Sequence, residues 1–474
     1  MFDETSDHDG NWQAELPVSL VPARHSTDPF ACPCCANVFS EILAQSGVDL
    51  AAHGQRLDKR RQPVQGDVWL VNAKVHTMDE NQPGADAMWV KDGRIAWIGQ
   101  RADAPAEVPD GDAIDCQGKT VLPGFIDPHM HLAPLAMLHS FENVGPFRFS
   151  STDDAIDHLR QVADRTPDGE WVVGRQFDPS LQSGPDYLTR DLLDRVSTRH
   201  PVFVYNASLH LAYCNSLALE IAGVDAATPD PAGAELGRDA QGQPNGVLKA
   251  GPAMALVARH NPHTRQNNVA DACLDVFKHA NTLGITLLCD QGTGLFQGVR
   301  ELDLYQSLRD SQQMTIRFRY SLGHVLANKW DAVGARWGSG DEWLRCTGWK
   351  IVSDGSNQGR TGLQREAFLN QGTDTAPQHG IAYIEVDELN QAVTQRLREG
   401  WAVCVHANGD AAIDRVLDAY ELAAEQGLDP AARRCRIEHC SILHDEQIER
   451  MAKLGISPSF LIGHVYYWGA AFID

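Results

Sequence analysis

The chain has 474 residues, 43% of them hydrophobic and 22% charged, the proportions of a soluble globular protein long enough for a barrel plus a satellite domain. Its 40 Lys+Arg against 63 Asp+Glu give a net charge of −23, which argues against a nucleic-acid or anionic-membrane surface. No apolar run approaches the about 18 residues of a membrane span, and Met1 to Gly10 is acidic and polar where a secretory leader would be basic and then apolar, so a cytoplasmic location is expected.

Taken in chain order, residues 1–63 read as a polar N-terminal extension with a basic stretch at Lys59-Arg60-Arg61. Cys32-Pro33-Cys34-Cys35 lacks the paired two-residue gap of a zinc knuckle and has no second pair nearby, so its thiols read as part of a loose extension. The 11 cysteines are odd in number, and Cys289, Cys404 and Cys435 sit singly in apolar stretches, the pattern of reduced, buried thiols. The sequon Asn206-Ala207-Ser208 accordingly carries little weight.

Residues 64–122 carry short strands with turns: 68–71, 74–78, 88–91, then the hairpin signal Asp92-Gly93, then 94–99. These predict half of a small β-sandwich. From 123 onward strands alternate with helical stretches, the signature of parallel βα units. Barrel strands are predicted near 125–131, 285–290, 315–321, 349–354, 402–406, 435–439 and 456–460, with helices such as 411–425 and 443–453 between them. That makes seven strands where a (β/α)8 TIM barrel has eight. The segment from about 140 to 260 is too long for one connection and holds a strand at Pro201 to Asn206, so it reads as an insertion over the barrel mouth.

Residues i and i+2 of a strand point the same way, so His129 and His131 project together at the C-terminal end of the first barrel strand, where such barrels place their sites, while Met130 faces the helices. Two imidazoles side by side suit zinc or another borderline divalent ion. A His-x-His pair alone is weak evidence. Three later strands strengthen it: 349–354 places Lys350 and Asp354 on one face, 403–406 ends in His406, and 436–439 ends in His439. Asp290, closing the second strand, and Asp354 are further acids near the same end, candidates for proton transfer but more in keeping with helix caps or partners orienting imidazoles.

The run Val121-Leu122-Pro123-Gly124-Phe125-Ile126-Asp127-Pro128-His129-Met130-His131 resembles the first-strand motif of the amidohydrolase superfamily. His406-Ala407-Asn408-Gly409-Asp410, Arg436-Ile437-Glu438-His439 and the 350–356 segment resemble its family 3 branch, which includes N-substituted formamide deformylase-like enzymes, and the likeness runs from about Asp67 to the end. The resemblance implies a metal-dependent hydrolase of carbon–nitrogen bonds other than peptide bonds, built as an α/β TIM barrel with a composite β-sandwich. It implies a divalent metal, zinc first, held by His129, His131, His406 and His439. Lys350 matches the position that is carboxylated in many relatives, and one or two ions follow according to whether it is modified. His210 resembles a family position facing the active site. His464 and Trp468, after the seventh strand, could line the mouth as substrate-binding residues, or belong to an ordinarily packed loop.

The family pattern also calls for a strand-eight aspartate that takes a proton from the attacking water, and it is absent: the seventh strand is followed by 463–469, and Asp474 has no strand-forming run before it. The chain therefore reads as C-terminally incomplete, its catalytic acid unassigned. Two readings follow. One is a competent hydrolase of a small amide or N-substituted formamide, a small-molecule enzyme without nucleic-acid or membrane partners and open to homo-oligomerisation. The other is a metal-binding fragment or pseudoenzyme. A metal-dependent phosphoesterase on the same barrel is disfavoured, because no phosphate-gripping Gly loop or Arg cluster adjoins the ligands.

Overall fold

The computed structural model describes residues 67–108, 113–138, 141–265, 269–295, 298–369 and 377–470. The N-terminal extension with Cys32 to Cys35, and Asp474, lie outside the described residues.

Seven parallel strands form one sheet in chain order: β1 (Phe125–Met130), β2 (Ile285–Thr293), β3 (Arg317–Gly323), β4 (Leu344–Val352), β5 (Val403–Ala407), β6 (Arg436–His439) and β7 (Ser457–Phe460). Among the described residues β1 and β7 are its two edges. The strands fall where the alternation of apolar runs and helical stretches places them, and the fold is the mixed α/β, TIM-like class. β4 begins earlier than the sequence suggested and ends before Asp354. Leu344, Arg345 and Cys346 pair with Phe318, Arg319 and Tyr320 of β3, and Thr347 falls at a register shift before Gly348 pairs with Ser321.

Period-two alternation decides what each face of the sheet carries. Trp349 and Ile351 of β4, Val403 and Val405 of β5, and Ile437 of β6 join the main core with helix residues Phe277, Tyr305, Leu389, Val393, Val416 and Tyr420. Burial of Val403, Val405 and Ile437 contributes roughly 1.5–3 kcal/mol each. The intervening residues form the opposite face. The registers Lys350–Cys404–Arg436–Ser457 and Val352–His406–Glu438–Ser459 run across neighbouring strands, so one pleat delivers Lys350, His406 and Glu438 to the same side.

Where one strand and loops were expected between 140 and 260, the structure has a six-stranded sheet of its own. Its order is Glu235–Arg238, Pro244–Lys249, Leu211–Cys214, Val202–Asn206, Val172–Phe177, Glu142–Asn143. Helix Thr152–Arg165, capped by Ser151 accepting from the Asp154 amide, packs Ile156 and Leu159 on one face. Ala218, Leu219, Ala253 and Val257 cover the other. Burial on both faces removes the polar–apolar alternation, which is why these strands escape a pattern search: Val172–Phe177 is buried at every position. Residues 68–121 form two small sheets of four and three strands with separate cores, one on Trp69, Val71, Ala87 and Trp89, the other on Ala73, Val75 and Ala85.

Candidate metal centre

Five imidazoles make a continuous chain of ring contacts at the C-terminal ends of the barrel strands. His131 stands edge-on to His129 with ring centres 5.3 Å apart, His129 lies 4.7 Å from His439, His439 lies 4.5 Å from His406, and His406 lies 5.0 Å from His210. His464 extends the chain, 6.2 Å from His439. His210 comes from the turn before strand Leu211–Cys214, where Leu209 has a positive φ of 60°.

His439 reaches this cluster by a backbone device that strand periodicity does not foresee. Glu438 bonds His129, and in a regular strand the next residue would point to the opposite face. A φ of 78° at His439, followed by 48° at Cys440, breaks the alternation and lets consecutive side chains both reach His129. Such a conformation at a non-glycine residue costs about 1–3 kcal/mol and is held only where the surroundings impose it. Close backbone packing at the end of β5 adds a second constraint: a Cβ at residue 409 would collide with the Leu363 carbonyl, so only glycine lets the loop after β4 cross there.

Most of these imidazoles have a polar partner. His129 Nδ1 is 2.7 Å from Glu438 Oε2, and His131 Nδ1 is 3.7 Å from Asp290 Oδ1. His406 Nε2 is 2.9 Å from the Gly355 carbonyl and 3.0 Å from the Asn408 amide nitrogen, and His464 Nδ1 is 2.8 Å from Ser441 Oγ. Burial would raise the Glu438 carboxyl, but the bond to His129 and the charges of His129, Lys350 and Arg436 hold it well below the usual carboxylate range. Glu438 is therefore an anion with no proton to give, and His129 donates from Nδ1, so its neutral ring carries the lone pair on Nε2.

Burial, reinforced by Lys350, pushes His129 down to about 4. Burial also brings His210 down to about 3 and His464 to about 4, and it holds His406 and His439 well below the ordinary value. These rings are neutral near neutral pH, the form that ligates metals. Lys350 is 1% exposed, its Nζ has no hydrogen-bond partner among the described residues, and burial lowers it to about 8. A buried, unpartnered amine among neutral imidazoles is a costly arrangement that packing alone does not explain. The donor set thus fits a divalent cation. Its geometry is not yet that of a filled site: among the described residues no three His, Cys, Asp or Glu side chains converge on one point in ligating fashion. The physical reason is visible at His406, whose Nε2 is engaged by Gly355 and Asn408, and ligation there would require that ring to give up the contact.

The acids named from sequence are committed elsewhere. Asp290 Oδ2 accepts from Thr293 Oγ1 at 2.6 Å and from the Tyr305 hydroxyl at 3.0 Å, and its other oxygen faces His131. Asp354 accepts three backbone N–H groups, from Leu363 and Gly409 at 2.9 Å and from Asn408 at 3.0 Å, and so ties the loop after β4 to the end of β5. Both are orienting groups in this arrangement. The stretch after β7 is a π-helical turn, His464–Trp468, where a mouth-lining loop was one expectation. Trp468 is 1% exposed and donates its indole N–H to Asp178 of the insertion at 2.8 Å, so it pins the two segments together, while His464 meets the imidazoles. Sequence reasoning did not single out Glu438, Tyr383 (hydroxyl 3.3 Å from His210 Nδ1) or Asp178. Only Glu438 carried a signal, since Arg436 and Glu438 share a face two residues apart.

A parallel barrel sheet with a histidine cluster and a buried lysine at its C-terminal edge defines the hydrolase-type α/β barrel class. The sequence profile of the amidohydrolase family matches residues 112–474. Over 407 residues the chain is 30% identical to "Protein LONG AFTER FAR-RED 3" of Arabidopsis thaliana, covering 84% of this chain and 68% of that protein. It is 29% identical to "N-substituted formamide deformylase" of Arthrobacter pascens, covering 86% and 74%. A solved structure of an uncharacterized metal-dependent hydrolase from Pyrococcus furiosus superimposes with a TM-score of 0.57 at 23% identity, over 83% of this chain and 76% of that one. The chain belongs to the amidohydrolase family, in its family 3 branch, and is a hydrolase of carbon–nitrogen bonds. No helix among the described residues is long and apolar enough to cross a membrane.

Proposed function

We propose that this protein hydrolyses the carbon–nitrogen bond of a small amide, an N-substituted formamide in particular, with a divalent cation, zinc first, held by His129, His131, His406 and His439 beside Lys350. The observation that carries the reading is the buried, unpartnered Lys350 amine among imidazoles that burial keeps neutral. Bound there, the cation would lower the pKa of water and polarise the amide carbonyl. The chain's own residues orient that chemistry. Glu438 fixes the His129 tautomer, Asp290 faces His131, and Asp354 holds the loop whose Gly355 carbonyl meets His406. Whether one ion or two bind follows from carboxylation of Lys350. His210, Tyr383 and His464 are the nearest groups to receive substrate. The named relative that acts on an N-substituted formamide supplies the substrate class.

Two finer points of architecture belong to the same reading. The small sheets at 68–121 are part of a composite sandwich, and the place of an eighth barrel strand, between β1 and β7, is unfilled among the described residues, where Phe125 and Ile126 at one edge and Phe460 and Ile462 at the other stay exposed. The test is release of free amine from a panel of N-substituted formamides and small amides, with the metal-free chain and after adding zinc. Zinc-dependent release supports the proposal. A folded chain that takes up zinc and releases no amine from any of them overturns the hydrolytic reading and leaves a metal-binding protein without catalysis.

A further inference from the structure

Three groups form a line from β6 to β1. Arg436 and Glu438 lie two residues apart on β6, on the face that carries Lys350 and His406. Glu438 is 0% exposed, and its Oε2 accepts a hydrogen bond from His129 Nδ1–H at 2.7 Å. Arg436 Nη2 stands 2.8 Å from Glu438 Oε1, a contact of opposite charges outside the angles of a hydrogen bond, and 3.4 Å from the carbonyl of Pro128, the residue just before His129. One guanidinium therefore touches both the carboxylate that bonds the His129 ring and the backbone that carries it. Among the described residues β1 has a strand neighbour on one side only, so the sheet steadies His129 less than it steadies His406 in the middle.

We infer that Glu438, held by Arg436, is the positioning residue of the metal centre: it sets the tautomer and the place of His129, presenting the Nε2 lone pair to the cation. The inference rests on the proposed cation site and deepens it. An imidazole bound to water alone takes both neutral tautomers, and only the form protonated at Nδ1 offers Nε2 as a ligand. A carboxylate accepting at Nδ1 removes that choice before any cation arrives, and it strengthens the ring as a donor. The alternative is a pair that only stabilises the fold. It would be replaceable by apolar side chains without effect on the ring, because exchange of a buried ion pair for hydrophobic residues is often neutral.

The two differ in a measurable way. In metal-free protein with 15N-labelled histidine, the His129 resonances should report the Nδ1–H tautomer. In Arg436→Leu/Glu438→Leu they should move toward Nε2–H, and the Kd for Co(II) should rise by about 10- to 100-fold. An unchanged tautomer, or an unchanged Kd, in the folded double variant overturns the inference. Glu438→Gln keeps the shape and drops the charge, and it decides the matter if the double variant does not fold: the same two shifts at reduced size are expected, and no shift overturns the inference. Failure of wild-type protein to bind Co(II) at all would count against the proposed cation site, while the tautomer readout still tests the role of Glu438 independently.

Discussion

β5 and β1 both carry histidines to the same cluster, yet they are held differently. β5 is buried at every position and paired on both sides, whereas β1 leaves Phe125 49% and Ile126 62% exposed and is paired only with β2 among the described residues. His406 inherits its position from the sheet itself and from Asp354, which accepts three backbone amides where the loop after β4 meets the end of β5. His129 depends on side chains reaching over from β6. The difference teaches that such a cluster need not be uniformly rigid: a histidine on a central strand is placed by backbone pairing, and one on an edge strand is placed by side chains reaching over from a neighbouring strand.

Five substitutions sharpen or break that contrast. The largest effect belongs to the centre. His406→Ala should lower kcat/KM for amide hydrolysis by about a thousandfold or more, about 4 kcal/mol, while far-ultraviolet circular dichroism stays unchanged. A variant within tenfold of wild type would remove His406 from the chemistry. Lys350→Met comes next, with turnover down about a hundredfold and the urea midpoint equal or higher, because a buried amine without a partner is removed. A lower midpoint with unchanged turnover would make Lys350 a packing residue.

At the other edge, Trp468→Phe deletes the indole donor to buried Asp178 and should cost about 1–3 kcal/mol in urea unfolding. Burial holds the Asp178 carboxyl above its usual range, with the Ser180 and Trp468 bonds pulling the other way. A group raised in the folded state contributes stability below its unfolded value near about 4, and loses it as pH climbs through the folded value. Asp178→Asn should therefore gain on wild type in unfolding free energy as pH rises above the unfolded value near about 4, and a difference flat in pH would contradict the assignment. The smallest effect is at Arg365, which bridges Asp414 and Glu446 with side chains partly exposed to water. Arg365→Ala should cost less than about 1 kcal/mol, measured by the same unfolding midpoint.

Much of this was legible in the sequence because the period of a strand is short and strict. The barrel strands, the outward Trp349 and Ile351 beside inward Lys350, and the gathering of His129, His406 and His439 at strand ends follow from apolar alternation and turn residues. Period two failed where the backbone departs from it: with regular geometry Glu438 and His439 would be assigned to opposite faces, and only the positive φ at His439 unites them. The insertion's sheet was hidden because helices cover both of its faces. Asp178 was out of reach for another reason. Its partner Trp468 is 290 residues away, and no local pattern reports a contact of that range.

Cation binding is the property on which the whole site depends. Isothermal titration of the metal-free chain with zinc, set beside the His129→Ala/His406→Ala variant, tests it most directly. Saturable binding of one or two ions per wild-type chain, abolished in the folded variant, is the predicted result. A folded wild-type chain that binds no zinc, or a variant that binds it equally well, would contradict the central claim.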